Sequence, residues 1–388
     1  MPSKFGVATQ RTDVPQWLVD DVRAAGMRFG NYINPDLMAG DPFGLPCAGR
    51  LYFDKEIDKQ LQYRGAKGAD EYLALCAPRM AKCPWITWWR GLNEPDTSSP
   101  AALKSYAAFE LRRIERLHAL GLRAMSFDFG TGRPEREAGT TDEVAKILAP
   151  VARATDARAY HEYGMRAMTL DGYHLLRYQE LERWLSAYGV NVAPIFITEC
   201  GIDFAGDPDD DGWRAQLHGD EAEYLRQLAA YDAALCADHR VVAATPFIWL
   251  HDGWPSFDIT RSLSGRLREY MRAQGGGVPI PAHWDPAAPD VAAFETALAE
   301  DMQKFVVPHT RKTWFDVYAR GRGWEGPMSD EHIRTVYGVR ALAQVWYSPK
   351  DDLQHVVYAR IDPRGYPIDA SGKLVSWQAA TRHVDRVN

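Results

Sequence analysis

Apolar positions along the chain fall into short runs that alternate with stretches of helical spacing. Lys4-Phe-Gly-Val-Ala-Thr9 is one such run and predicts a strand. From Val14 to Ala25, Trp17, Leu18, Val22 and Ala25 repeat at helical spacing, and Gly26 stands where a helix would be capped. Met27 to Asn34 predicts a second strand, ended by Pro35. Residues 35–66 read as long and irregular, with Arg50-Leu-Tyr-Phe-Asp54 the one strand candidate in them. Ala69 to Ala81 is helical. Trp85-Ile-Thr-Trp-Trp-Arg-Gly-Leu-Asn-Glu-Pro95 then predicts a buried strand that runs into Glu94 and is stopped by Pro95.

The alternation continues. Ser99 and Pro100 open a helix whose apolar face is Leu103, Ala107, Leu111, Ile114 and Leu117, with Gly121 closing it. Strands are predicted over Leu122–Asp128, Ala157–His161, Pro194–Gly201 and Val241–Leu250, separated by helices over Thr141–Ala152, Leu175–Tyr188 and Glu221–Ala237. Strands therefore begin near 4, 27, 50, 85, 122, 157, 194 and 241. Short apolar strands alternating with amphipathic helices signal a parallel α/β sheet, and eight of them point to a (β/α)8 TIM barrel. The pattern breaks near residue 260. Gly275-Gly-Gly and the prolines that follow read as a linker, Val291 to Phe305 as a helix, and 306–388 as a small α+β unit. In that unit Gly338–Tyr347 and Leu353–Ile361 predict a hairpin around Ser-Pro-Lys-Asp-Asp. The expected domains are a catalytic barrel over 1–275, a linker and helix over 276–305, and an accessory domain over 306–388.

Composition narrows the function classes. The chain has 388 residues, a formal net charge of −7 and 46% hydrophobic residues. An acidic chain without a basic stripe argues against nucleic acid as partner. No apolar run approaches the roughly eighteen residues of a membrane span, and the N-terminus lacks a secretion signal. A cytoplasmic product, or one released by lysis, is expected. The five cysteines (Cys47, Cys76, Cys83, Cys200 and Cys236) are odd in number and scattered, which suits reduced thiols. Cys76 and Cys83 are too far apart for a CxxC pair, and no metal or cofactor is expected. Asp207-Pro-Asp-Asp-Asp-Gly212 matches the first half of a calcium loop, but His218 stands where the bidentate Glu is needed, so a solvated acidic loop is favoured.

The candidate chemistry lies in two carboxylates. Glu94 ends one predicted strand, and Glu199, in Pro194-Ile-Phe-Ile-Thr-Glu-Cys-Gly201, ends another. Taken alone, Asn-Glu-Pro is usually a turn. Together, at the C-terminal ends of strands four and seven, two glutamates meet the minimum for breaking a glycosidic bond: one protonates the leaving oxygen, and the other attacks the anomeric carbon or activates water. If Glu94 acts as the acid near neutral pH, its pKa has to be raised by burial or by Glu199.

Asn93-Glu94-Pro95 and Ile197-Thr-Glu-Cys-Gly201 resemble the strand-four and strand-seven motifs of the large clan of retaining (β/α)8-barrel glycoside hydrolases. The resemblance covers roughly residues 4–260. It implies Glu94 as acid/base, Glu199 as nucleophile, Asn93 bonding the sugar 2-substituent, Tyr163 holding Glu199, His161 lining the cleft and Trp249 stacking on a sugar. Trp89 (or Trp88), Phe127 and Trp254 are further stacking candidates, and Asp128 and Glu162 sit at predicted strand ends. One position departs from the clan, which often ends strand two with an Arg that contacts the nucleophile. Here Gly30-Asn-Tyr-Ile-Asn34 ends that strand, Arg28 lies at its start, and Arg90 is the possible substitute. The function expected is retaining hydrolysis of a poly- or oligosaccharide. The alternatives are a cell-wall lytic glycosidase whose residues 306–388 target it, and a non-catalytic carbohydrate-binding barrel, for which an intact Glu pair is unnecessary.

Overall fold

The computed structural model describes residues 2–134, 139–190, 193–277, 314–328, 332–336, 339–350, 353–361, 367–369, 373 and 375–385. The chain divides into two compact units, Met1–Ile280 and Pro281–Asn388.

The first unit is a (β/α)8 barrel. Its strands are β1 (Val7–Thr9), β2 (Gly30–Ile33), β3 (Cys47–Arg50), β4 (Trp88–Arg90), β5 (Ala124–Phe129), β6 (Ala157–Gly164), β7 (Ile195–Ile202) and β8 (Val241–Pro246). All neighbouring pairs are parallel and follow sequence order. The sheet closes where Gly6 N donates to Ala244 O at 2.8 Å and Trp249 N to Ala8 O at 3.0 Å. Phe29, Trp88 and Phe196 come from non-adjacent strands or their approaches. Their rings nevertheless pack at 4.7–6.4 Å between centroids, so they meet across the barrel interior.

The helices of this unit are α1 (Gln16–Ala25), α2 (Lys55–Tyr63), α3 (Gly65–Met80), α4 (Pro100–Ala119), α5 (Thr141–Ala154), α6 (Tyr178–Ser186), α7 (Trp213–Gln216), α8 (Glu221–Cys236) and α9 (Arg261–Ala273). Their ends follow the expected chemistry. Gly26 caps α1 in the left-handed conformation (φ 68°), Ser99 accepts from Ala102 N at the start of α4, and Thr140 and Glu143 form a reciprocal capping box on α5. Arg113 of α4 is fully buried, paired with Glu110, and donates to Trp89 O at 3.1 Å and Met125 O at 2.9 Å. This ties the helix to β4 and β5, the strands that carry much of the site.

The sequence reading needs correction at several boundaries. The third strand is Cys47–Arg50 and not Arg50–Asp54. Asp54 leaves the sheet to cap α2, accepting from Glu56 N at 2.9 Å. That helix lies inside the stretch expected to be irregular, because its sequence is mostly polar and only Asp58, Leu61 and Gln62 are buried. Helix α9 also falls where the pattern was read as broken. Leu263, Leu267 and Met271 form a regular buried stripe behind an N-cap at Thr260, masked by the charges between them. Strand β4 stops at Arg90, so Glu94 lies on the loop after it, held at φ 45°. Glu199 lies inside β7 and not at its end.

In the second unit α10 (Trp314–Arg320) and α11 (Trp377–Ala380) accompany an antiparallel sheet of β9 (His332–Val336), β10 (Val339–Ser348), β11 (Leu353–Arg360) and β12 (Arg382–Asp385). The predicted hairpin is the β10–β11 pair, in register from Ala341↔Arg360 to Ser348↔Leu353. Phe315, Trp346, Val357 and Ala359 form its core. The linker over 276–305 and its Val291–Phe305 helix lie outside the described residues, apart from Gly276 and Gly277.

Candidate active site

The sheet is irregular where its C-terminal ends carry chemistry. Phe127 pairs with Ala159 and Phe129 with Tyr160, which leaves Asp128 as an extra residue in β5. Tyr160 pairs with Ile197 and His161 with Glu199, which leaves Thr198 extra in β7. Bulges of this kind re-aim side chains. Phe127 and Asp128 adopt positive φ (83° and 50°), and Asp128 O accepts from Glu94 N at 3.1 Å, which fixes the Glu94 loop to β5.

The hub is Arg90, the last residue of β4, whose side chain has no exposed surface. Its Nε donates to Asp128 at 2.8 Å, its Nη1 to Asn31 Oδ1 at 3.0 Å and its Nη2 to Glu199 Oε1 at 3.5 Å. Thr198 Oγ1 adds a bond to Asp128 at 2.9 Å. Burial works to raise the pKa of Asp128, but the charge of Arg90 and the contact with His161 outweigh it and hold this carboxyl well below the ordinary range. Asp128 is thus spent inside the network, 1% exposed, and lines neither half of the cleft described below.

His161 links the two glutamates. Its Nδ1 lies 2.9 Å from Glu94 Oε1 and 3.6 Å from Glu199 Oε2. Burial opposes its charge, yet Glu199, Asp128 and Glu94 together push it up to about 9. Its Nε2 lies 2.9 Å from Arg90 Nη2 and 3.2 Å from Asp128 Oδ1. The neutral ring can accept from the arginine and the protonated ring can donate to the aspartate, so Nε2 has a partner in either state.

Glu94 is two-fifths exposed at its side chain (41%). Withdrawal from bulk water works to raise its pKa. The hydrogen bond and charge of His161, with Lys55 and Arg50 behind, outweigh that and leave it below its ordinary value. This differs from the raised pKa expected of an acid. Glu199 is 7% exposed, and its Oε2 accepts from Tyr163 OH at 3.0 Å. Gly130 lies against Glu94: a Cβ there would stand 3.1 Å from its Cδ and Oε1.

The cleft over this pair has two halves. One, of about 530 Å3, includes Asp58, Asn93, Glu94, Thr97, Arg133 and Tyr173 in its lining. The other, of about 490 Å3, includes Arg50, Glu94, Glu199, Asp252 and Trp254. Lys55, Asn93, Glu94, Tyr163 and Asp203 belong to both. Glu94 therefore stands where the halves join.

Several expected site residues lie elsewhere. Trp249 has no exposed surface, and its indole Nε1 donates to Ser264 at 3.2 Å in the core outside the barrel. Trp89 (1% exposed) packs in the same core, and Phe127 stacks on Phe129. Of the stacking candidates only Trp254 lines the cleft, half-buried and edge-on to Phe247 and Phe257. Glu162 points away into the helices and accepts from Tyr231 OH, Leu176 N and Tyr178 N at 2.6–3.1 Å. Burial pushes its carboxyl up to about 7. In the acidic loop, Asp207 and Asp211 accept from the amides of Asp209 and Asp207, so these carboxylates brace the loop's own backbone. No cluster of three or more His, Cys, Asp or Glu is arranged to hold a metal among the described residues. The cysteines are free thiols.

Sequence reasoning did not find Asp203, Arg50 and Asp58. Asp203 follows β7 directly, and burial, with Glu94, Asp211 and Glu199 nearby, pushes it up to about 6. Asp58 sits on α2 beneath Asn93, and burial pushes it up to about 7. Both are single acidic residues in stretches without a motif. Arg50 ends a strand whose boundary was misplaced.

No family model matches the sequence, and no curated protein matches it. Among solved structures the chain is similar to a GH128 subgroup I endo-β-1,3-glucanase from Amycolatopsis mediterranei, determined with laminarihexaose. The identity is 16%, the TM-score 0.45, and 69% of this chain and 99% of that one are covered. A GH128 subgroup II endo-β-1,3-glucanase from Sorangium cellulosum is 15% identical, with TM-score 0.42 over 68% of this chain and 97% of that one. A β-mannanase from Thermomonospora fusca is 14% identical, with TM-score 0.38 over 66% and 83%. Among the described residues no helix is long and apolar enough to cross a membrane.

Proposed function

We propose that the barrel is a glycoside hydrolase that cleaves a polysaccharide with retention, Glu199 acting as nucleophile and Glu94 as acid/base. The observation that carries this reading is the sharing of one nitrogen, His161 Nδ1, by Glu94 Oε1 at 2.9 Å and Glu199 Oε2 at 3.6 Å. These two oxygens are no further apart than the two distances laid end to end. An approach through one shared nitrogen supports the roughly 5–5.5 Å carboxyl separation of retaining enzymes over the roughly 6.5–9.5 Å by which inverting ones keep room for a water.

Glu199 is held by Arg90 on one oxygen and by Tyr163 on the other. Attack of this oxygen on the anomeric carbon breaks the glycosidic C–O bond, and Glu94 delivers a proton to the leaving oxygen. Because His161 holds Glu94 ionised in the free protein, the proton rests on His161 Nδ1 and reaches the substrate through Glu94. In the second half water attacks the glycosyl ester, Glu94 takes its proton, Glu199 leaves, and His161 regains the proton it lent. Trp254 would bind sugar in the half of the cleft that holds Glu199, and Asn93 would bind it where the two halves join. A cleft that continues beyond Glu94 in both directions supports cleavage within a chain.

One observation favours a second reading of the acid. Asp203 also faces Glu94 and Glu199 and holds its proton to a higher pH than Glu94 does. Azide rescue separates the two. Glu94→Ala is expected to lose turnover on poor leaving groups and to regain it with azide; rescue of Asp203→Ala alone would move the role to Asp203. The reading as a whole is tested by hydrolysis of a glycan panel with anomeric analysis, and by a 2-fluoro-glycoside of the accepted sugar, which should label the peptide containing Glu199. Inverted product, or label on another carboxylate, overturns it.

A further inference from the structure

We infer that Arg50 anchors an anionic substituent of the bound glycan, a carboxylate or a sulfate ester, so that the cleft takes an acidic polysaccharide. This rests on the glycosidase reading of the cleft and adds the substrate class to it.

Arg50 is the last residue of β3 and lines the half of the cleft that holds Glu199 and Trp254. It is 5% exposed. Its Nε is buried with no hydrogen-bond partner, and among the described residues no carboxylate lies within ion-pair distance of its guanidinium. Its charge is felt at longer range by Asp58, Glu94 and Asp128. Asp128 already has Arg90, and Glu94 already has His161.

A buried guanidinium without a partner is costly, by several kcal/mol in effective desolvation. Proteins satisfy roughly nine in ten buried polar groups, and one left open at a cleft wall is available to what enters the cleft. Its backbone is fixed: Arg50 O accepts from Asn34 N at 2.8 Å, and the residue pairs with Ile33 across the sheet. The planar fork matches a carboxylate or a sulfate through paired N–H donors, which a hydroxyl cannot reproduce. Lys55, at the start of α2, is the other cation in this half of the cleft. Together they place basic side chains at the β3 wall, in a cleft half whose other Asp, Glu, Lys or Arg lining is acidic (Glu94, Glu199, Asp203 and Asp252).

The test uses the full chain and a panel of polyuronates, their carboxyl-reduced counterparts, sulfated galactans, and neutral glucan and mannan. Wild-type protein is expected to hydrolyse an acidic member at least about tenfold faster than its neutral counterpart; whether the carboxylate or the sulfate arm responds identifies the anion. Arg50→Gln should erase that preference and Arg50→Lys should weaken it, with unfolding temperatures at or above wild type, because an unpaired buried charge has been removed. Equal turnover of neutral and acidic glycans, an unchanged preference in Arg50→Gln, or a lowered unfolding temperature that marks Arg50 as a structural counter-ion overturns the inference. Calorimetry of the same oligomers with Glu199→Gln keeps the two readings apart. Arg50-dependent binding of an acidic oligomer without hydrolysis of any glycan sinks the hydrolase and keeps the anion site. Absence of such binding sinks the anion site, whatever the hydrolysis result.

Discussion

Arg90 Nη2 lies 3.5 Å from Glu199 Oε1, although the two residues sit on strands that are not neighbours. The clan that the sequence resembles often brings an arginine to its nucleophile from strand two. Here Asn31 of β2 accepts from Arg90 at 3.0 Å, and the arginine beside Glu199 comes from β4. Arg90 also pairs with Asp128, and neither side chain is more than 2% exposed. Replacing Arg90 by Leu removes the main counter-charge of a buried carboxylate, which costs on the order of 3–5 kcal/mol. Denaturant unfolding should show that loss, and Arg90→Leu/Asp128→Leu should recover part of it. A loss below about 1 kcal/mol would mean the pair is not structural.

The pH dependence should follow His161. Its pKa in the folded protein, about 9, stands above the roughly 6.5 of a free histidine. Its contribution to stability is therefore fully present below about pH 6.5 and fades as pH rises through about 9. Turnover should fall in the same alkaline window, since the proton lent to Glu94 is then gone. In His161→Gln the alkaline limb of kcat/KM should move. An unmoved limb would assign the acid proton to another group.

Gly130→Ala tests how finely Glu94 is placed. The added Cβ meets the end of a flexible side chain at 3.1 Å, so the fold absorbs it while the carboxyl shifts by tenths of an ångström. The expected result is an unfolding temperature near wild type with kcat reduced by about tenfold or more, given the sensitivity of catalysis to misplacement. Unchanged kcat would show that Glu94 has room to spare.

The two tryptophans of the strand-eight region should separate cleanly. Trp249 is wholly buried, and its truncation to Ala should cost about 3–5 kcal/mol with KM little changed in the protein that remains folded. Trp254→Ala should do the opposite, raising KM severalfold at nearly constant stability. The reverse pattern would return the stacking role to Trp249.

Much of this architecture is legible in the sequence because it rests on local chemistry. Strand and helix alternate, Ser99 and Gly26 mark helix ends, and Glu94 and Glu199 are flagged by the runs before them. The errors have physical causes. Trp249 and Trp254 are equally aromatic, and only the path of the chain after β8 decides which one meets solvent. Helix α2 buries few apolar groups, so its periodicity is faint. Arg50, Asp58 and Asp203 gain their character from neighbours distant in sequence, and burial and charge at such range leave no mark on a single stretch. Glu94 is placed by its motif, but the low pKa given it by His161 depends on a contact between strands.

The extra residues at Asp128 and Thr198 carry a consequence for how this barrel can change. A sheet gains most when its ladder is unbroken, so deleting either residue would heal the pairing of β5 or β7. The same deletion would remove either the Asp128 carboxylate that pairs with Arg90 or the Thr198 hydroxyl that bonds Asp128, and so open the network behind Glu199. At these two positions the sheet's own optimum and the working site are in conflict. Variants selected for heat resistance alone should drift toward the regular ladder and lose activity in a single step.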